Sequence, residues 1–268
     1  MNLWKKWFGP REPKNDPPAA PEDLSNEERA ARALAQLEPF KRTAYLPRTE
    51  EVPPAFSEHS KFGGYPYLRD AADWPRCPHC GRHLQLFLQL DARRLPPMGG
   101  KGLIQLFYCT TNRPDGLHCE YDCNAYEPFS KSVVARRIDV GGPSAATEPD
   151  LDEVFPERRI TGWTAADDYP HYEEHEALGL MIDDDDYEVL ESEVEKGVPL
   201  AGDKLYGWPL WVQSEEYPYD RQTGKRMELL FQIDSEVNLP YMFGDSGIGH
   251  LTVSPDNDGE LAFAWACH

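Results

Sequence analysis

Slid against itself by 143 residues, the chain lies over a second version of part of itself, and this repeat restricts the fold more than any other feature. SKFGGYPYL, from Ser60, falls on DKLYGWPLW, from Asp203. Lys61, Gly64, Pro66, Pro75, Gly81, Leu86, Gln89, Asp91 and Pro97 each meet their own residue type, nine identities in the 37 positions from Lys61 to Pro97. Ordinary residue frequencies give about two. After a two-residue insertion, GLIQLFYC (102–109) falls on GIGHLTVS (247–254). Two versions of one unit pack about a pseudo-twofold axis and bury a shared core, as symmetric subunits do.

Each version reads as strand and turn. Leu84, Leu86, Leu88 and Leu90 alternate with Gln85, Phe87 and Gln89, the period of a half-buried strand. Leu103 to Cys109 is a second apolar run, reached through the Pro/Gly-rich loop 96–100. The 25 prolines argue against a helical bundle, because each removes a backbone donor and breaks a helix interior. Near the N-terminus, Ser25 and Glu28 form a capping box for a helix from Asp23 to Leu37, with Ala30, Ala31, Ala33, Leu34 and Leu37 on its apolar stripe. The expected class is α+β: one β-rich domain built by internal duplication, pseudo-twofold, with an N-terminal helix. Its divisions are an amphipathic N-terminus and Pro-rich linker (1–22), a helix and connector (23–56), and the duplicated domain (57–268). Within the last, repeat 1 covers 57–140, an acidic insert 141–200 and repeat 2 201–268.

The net charge is −20, and 18 acidic against three basic residues between Glu148 and Lys196 supply most of it. That field repels phosphate backbones, so no nucleic-acid partner is expected, and it favours a protein client of basic character. The run Asp183–Asp186 lacks the alternate carboxylates and glycine turn of a calcium loop, and reads as solvated surface. No apolar run reaches the roughly 18 residues that span a bilayer. Met1–Phe8 has no continuous apolar segment of a secretory signal, so a cytoplasmic location is expected, with membrane contact only through residues 1–8.

Six cysteines in such a chain point to reduced thiols or metal. Cys77-Pro78-His79-Cys80-Gly81 is a knuckle that puts two thiolates at one tight turn, and Cys119 and Cys123 supply a second close pair. Antiparallel strands before and after the loop bring Cys109 back beside Cys80. Five cysteines converge where zinc takes four. Paired spacing selects Cys77, Cys80, Cys119 and Cys123, with Cys109 in reserve; His79 and His118 rank lower. In the second version Cys77 and Cys80 become Asp220 and Thr223, an ordinary turn, so the zinc is expected to be structural.

Other motifs carry less. Gly244-Asp245-Ser246-Gly247 has the form of a serine-protease nucleophile motif without its partners, and reads as a turn. His171-Tyr172-Glu173-Glu174-His175 misplaces its glutamate for a zincin and reads as surface. The equivalent pairs Gln89/Asp91 and Gln232/Asp234 cap turns or line a symmetric groove; with Asp245 and Ser246 they are the candidate binding residues.

SKFGGYPYL, Asp73-Trp74-Pro75, LQLFLQLD, GLIQLFYC, LLFQID, the GDSG turn and the terminal Trp265 and Cys267 together resemble the YwqG-like family, a bacterial domain of unknown function. The resemblance covers about Ser57 to the C-terminus, apart from the acidic insert. CPHCG with LQLFLQL and LFYC is also similar to the eukaryotic programmed cell death 2 proteins. The resemblance implies a cytoplasmic protein of immunity or chaperone type with no established enzymatic activity, and an escort role in the eukaryotic relatives. The leading expectation is therefore a non-enzymatic module that binds a protein client. Its rivals are an enzyme with a groove between the repeats, using Asp91, Asp234 or Ser246, and a structural part of a membrane-associated assembly tethered by Trp4 and Trp7.

Overall fold

The computed structural model describes residues 24–268, apart from 98, 113, 114, 116, 117, 195, 196, 257 and 258. The amphipathic segment and linker over 1–22 lie outside the described residues. The chain is mostly β. Its strands are β1 (Arg42–Val52), β2 (Lys61–Phe62), β3 (Gln85–Asp91), β4 (Leu103–Tyr108), β5 (Val133–Ile138), β6 (Glu157–Asp168), β7 (Lys204–Tyr206), β8 (Glu228–Asp234), β9 (Ile248–Val253) and β10 (Leu261–Ala266). Four helices accompany them: α1 (Asn26–Leu37), the single turns α2 (Cys119–Asp122) and α3 (His175–Leu178), and α4 (Asp184–Glu193). Ser25 caps α1, and the expected capping box with Glu28 is present.

All ten strands form one antiparallel, nearly closed sheet in the order β10-β9-β8-β7-β1-β6-β2-β3-β4-β5. At its centre β1 runs against β6 from Arg42↔Asp168 to Val52↔Glu157. Outward from there the two arms match. Lys61 faces Gln89 and Lys204 faces Gln232. The ladder shifts at Leu86/Leu88 in one arm and at Leu229/Phe231 in the other. Each arm also borrows: β1 precedes β2 in the chain yet pairs with β7, and β6 precedes β7 yet pairs with β2. The acidic stretch 141–200, read from sequence as solvated surface, thus supplies a central strand.

The strand reading of 84–90 holds in its location but not in its half-burial. Every residue of β3 is buried, including Gln85 and Gln89. The register shift at Leu86/Leu88 is the physical reason: it breaks the alternation, placing Phe87, Leu88 and Leu90 in the main core while Leu84 and Leu86 join a second cluster with Leu68, Trp74 and Phe107. Further out, the edge strands β5 and β10 approach each other across a seam, where the Trp265 amide on β10 donates to the Tyr126 carbonyl.

Two lysines are sealed inside, one in each arm. Lys61 Nζ lies 3.0 Å from Glu157 Oε2 and Lys204 Nζ 2.9 Å from Asp168 Oδ2, with all four side chains fully buried. Burial pulls both lysines below their ordinary pKa and the facing carboxylates oppose it. The two carboxylates are the first and last residues of β6, so one acidic strand neutralises both arms. Gly64 and Gly207, both left-handed, let the backbone approach: a Cβ on either would strike Glu157 or Asp168 within 3 Å.

The Asp183–Asp186 run is likewise structural. Asp183 caps α4, and buried Asp186 receives Arg29 and Arg32 of α1, each through Nε at 2.8 Å. The histidine motif is no surface patch either, as His171 and Glu174 are buried and Glu174 accepts from Trp211 Nε1 (3.0 Å) and the Tyr217 hydroxyl (2.7 Å).

Asp203 yields a pH prediction. Its enclosed carboxylate accepts the Asp234 amide at 2.8 Å and Asn238 Nδ2 at 2.7 Å, whereas in the other arm Asp91 donates to the Ser60 hydroxyl at 2.8 Å. Burial, partly offset by those bonds, raises Asp203 from its ordinary 3.8 to about 7. A raised carboxyl favours the folded state while protonated, and that contribution is lost as pH climbs from about 4 to 7. Asp203→Ser removes the loss. Urea midpoints of variant and wild type should diverge in the variant's favour across this window, by up to about 1.4 kcal/mol per pH unit; parallel curves would contradict the assignment.

Candidate metal centre

Four cysteine sulfurs converge just outside the first arm of the sheet. Cys77 and Cys80 sit on the turn before β3, Cys109 directly follows β4, and Cys119 opens α2. Their Sγ atoms all lie within 4.8 Å of one another. Cys77 and Cys119 are 3.9 Å apart, Cys80 and Cys109 3.8 Å. A tetrahedron with metal–sulfur bonds of about 2.3 Å has edges of about 3.8 Å. A disulfide needs about 2.05 Å, and all six cysteines are free.

The turn is shaped by its backbone. The Cys77 amide donates to the Arg82 carbonyl and the Gly81 amide to the Cys77 carbonyl, both at 2.8 Å. The same two bonds, from Asp220 to Lys225 and from Gly224 to Asp220, close the matching turn of the second arm, also at 2.8 Å. There Asp220 replaces the thiol. Its carboxylate takes the amides of Gln222 (2.7 Å) and Thr223 (2.6 Å), and Ser254 with those amides lowers it to about 2. Cys77, Cys80 and Cys109 therefore stand where Asp220, Thr223 and Ser254 stand in the other arm.

The geometric group differs from the sequence-based set at one position. Cys109, held in reserve, belongs to the group, and Cys123 does not. Four residues after Cys119, the Cys123 thiol folds back along the helical turn and donates to the Cys119 carbonyl at 3.0 Å. His79 lies beside the group, with Nδ1 at 3.3 Å from Cys119 Sγ, and Ser132 Oγ lies 3.3 Å from Cys77 Sγ. His118 is at the cap of α2, with Nδ1 3.8 Å from Glu120.

Electrostatics favour a cation here. Burial raises Cys109 to about 12 and pushes Cys119 and Cys123 up as well. Cys77 is buried too, yet the Ser132 hydroxyl and the Cys80 and His79 amides bring it down to about 7. A divalent ion among the sulfurs would reverse the burial penalty and deprotonate the remaining thiols. Four protein sulfurs leave no open coordination position, the pattern of a structural site.

Glu120, the residue after Cys119, ties this centre to the second arm. Buried, it accepts the Tyr108 hydroxyl at 2.6 Å and a short bond from the Tyr241 hydroxyl. Trp265 Nε1 on β10 donates to the same Tyr108 hydroxyl at 2.7 Å. Burial and the Glu120 charge raise both tyrosines, so both stay protonated donors.

The remaining candidates are placed as follows. Gln89 accepts the Tyr67 amide (2.9 Å) and Gln105 Nε2 (2.9 Å), and donates to the Ser57 and His59 carbonyls. Gln232 does the same for Leu210 and Gly202, both at 2.8 Å. Asp91 pairs with Arg93, and Asp234 accepts the Gly202 amide at 3.0 Å. These four brace the loops beside β2 and β7. Asp245 and Ser246 are exposed on the β8–β9 turn, which packs against Cys267 and is not part of the four-cysteine group. Sequence reasoning missed Glu120, which has no motif, and Tyr108 and Tyr241, which read as ordinary core.

No curated protein matches the chain. One family model, Domain of unknown function (DUF1963), matches residues 60–267, which span β2 to β10 and include all four clustered cysteines. The chain belongs to the DUF1963 family.

Proposed function

We propose that this protein is a zinc-stapled, non-enzymatic module that binds a basic segment of a protein client. The observation that carries this reading is a groove of about 530 Å³ along the β5–β10 seam. Tyr126, Pro128, Tyr217, Pro218 and Trp265 line it, and Glu127 and Glu216 supply carboxylates without a basic residue on its wall. The loop carrying Tyr126 to Pro128 begins at α2, so a metal on Cys119 would fix the groove's shape. Zinc is the metal that a closed set of four thiolates favours. Aromatic side chains with a charged rim suit a protein partner, and the chain's net charge of −20 suits a basic one.

The matching registers, turns and buried lysines support an origin of the two arms by duplication, with first strands exchanged. Reduced cysteines support a cytoplasmic location. The motifs shared with YwqG-like and programmed cell death 2 proteins support a chaperone- or immunity-like role.

The test is binding of a captured client to Glu127→Gln/Glu216→Gln. Affinity should fall roughly tenfold at low salt and converge with wild type at high salt. A client held equally by the double variant, at all salt concentrations, would overturn the reading.

A further inference from the structure

A second cavity, of about 710 Å³, opens between the arms. Its apolar lining comes from both arms: Leu95 and Ile104 from the first, Leu230 from the second. Lys101 and Arg137 line it as well, two cations against the single carboxylate of Asp139, in a chain whose net charge is −20. The volume is that of a site for a small organic ligand.

Tyr206, also on the wall, is a specific sign of use. Its φ is +61°, a left-handed conformation that costs a non-glycine residue about 1 kcal/mol or more. The matching position of the first arm, Gly63, adopts φ +59° and holds the glycine such a backbone favours. The second arm thus keeps a large aromatic side chain against the local backbone preference, packed edge-on to Tyr45 and the main core and at the same time walling this cavity. Arg137 is near enough for its charge to counter the burial that raises the Tyr206 phenol.

We propose that this cavity binds a small anionic ligand with an aromatic or similarly compact apolar body. The oxyanion head meets Lys101 and Arg137, the body rests on Leu95, Ile104 and Leu230, and Tyr206 closes the site from the second arm. This site is separate from the seam groove and does not depend on the protein-client reading.

Calorimetric titration of the full chain with phenyl phosphate, phenol and inorganic phosphate tests it. Phenyl phosphate should bind at least tenfold more tightly than either fragment. Lys101 is exposed, so Lys101→Ala should keep the melting temperature while weakening phenyl phosphate about tenfold and leaving phenol unchanged. Tyr206→Gly restores the first arm's residue but gives up the ring's packing on Tyr45 and the main core; it should melt lower than wild type, stay folded at the titration temperature and lose tenfold or more in affinity. Equal affinities for phenyl phosphate and phenol, or undiminished phenyl phosphate binding by Lys101→Ala, would overturn the proposal.

Discussion

If the four clustered thiols hold zinc as proposed, Cys109→Ser is expected to abolish metal binding and unfold the first arm of the sheet, whereas Cys123→Ser leaves both metal binding and fold in place. The contrast follows from position. Cys109 Sγ is 3.8 Å from Cys80 Sγ inside a buried cluster, and the Cys123 thiol is engaged with its own helical turn. Binding of zinc to a structural thiolate site is worth on the order of 10 kcal/mol, comparable with the roughly 5–15 kcal/mol that holds a typical domain folded. Loss of one ligand also leaves three thiols, those of Cys77 and Cys119 buried and that of Cys80 half-buried, around Leu68, Trp74 and Phe107, with no cation to offset their burial. Metal content by elemental analysis and urea denaturation followed by circular dichroism check both variants. Metal lost in Cys123→Ser and kept in Cys109→Ser would restore the paired-spacing set.

The second large effect is at the sealed lysines. Removing one partner of a buried ion pair costs about 3–5 kcal/mol, because the other charge is stranded. Lys204→Met strands Asp168, and Lys61→Met leaves Glu157 with Arg159 alone, at 3.4 Å. At roughly 2–4 °C per kcal/mol for a domain this size, each should lower the melting temperature by about 10 °C. The carboxylates are not equivalent. Asp168 also accepts the amides of Tyr169, Leu200 and Trp208, at 3.1, 2.8 and 2.8 Å, while Glu157 accepts only that of Ala55 among backbone amides, at 2.9 Å. Asp168→Ala should therefore be the more damaging of the two acid deletions. The reverse order, in thermal melts, would mean that the backbone bonds and not the lysines were misjudged.

The repeat made the strands and their partners legible, because glycine, proline and alternating apolar residues mark turns and strands locally. It did not reveal that β1 pairs with β7 and β6 with β2. β1 and β6 share no motif, and β6 lies in a stretch whose acidity masks a central strand. Its two terminal carboxylates are acidic because they meet buried lysines, a fact of tertiary packing that no local pattern carries. The cysteine cluster was legible as a cluster. The close group differs from the set that spacing selects, and the alignment already held a signal for Cys109: it falls on Ser254, the partner of Asp220, which itself falls under Cys77. The Glu120 network had no such signal, since hydroxyl and carboxylate pairing across the seam depends on how the sheet curls.

X-ray absorption at the zinc edge of the purified protein tests the central claim most directly. The geometry predicts one zinc per chain with four sulfurs at about 2.3 Å, and an unchanged spectrum from Cys123→Ser. Nitrogen or oxygen in the first coordination sphere, or a four-sulfur signal that survives in Cys109→Ser and vanishes in Cys123→Ser, would contradict it.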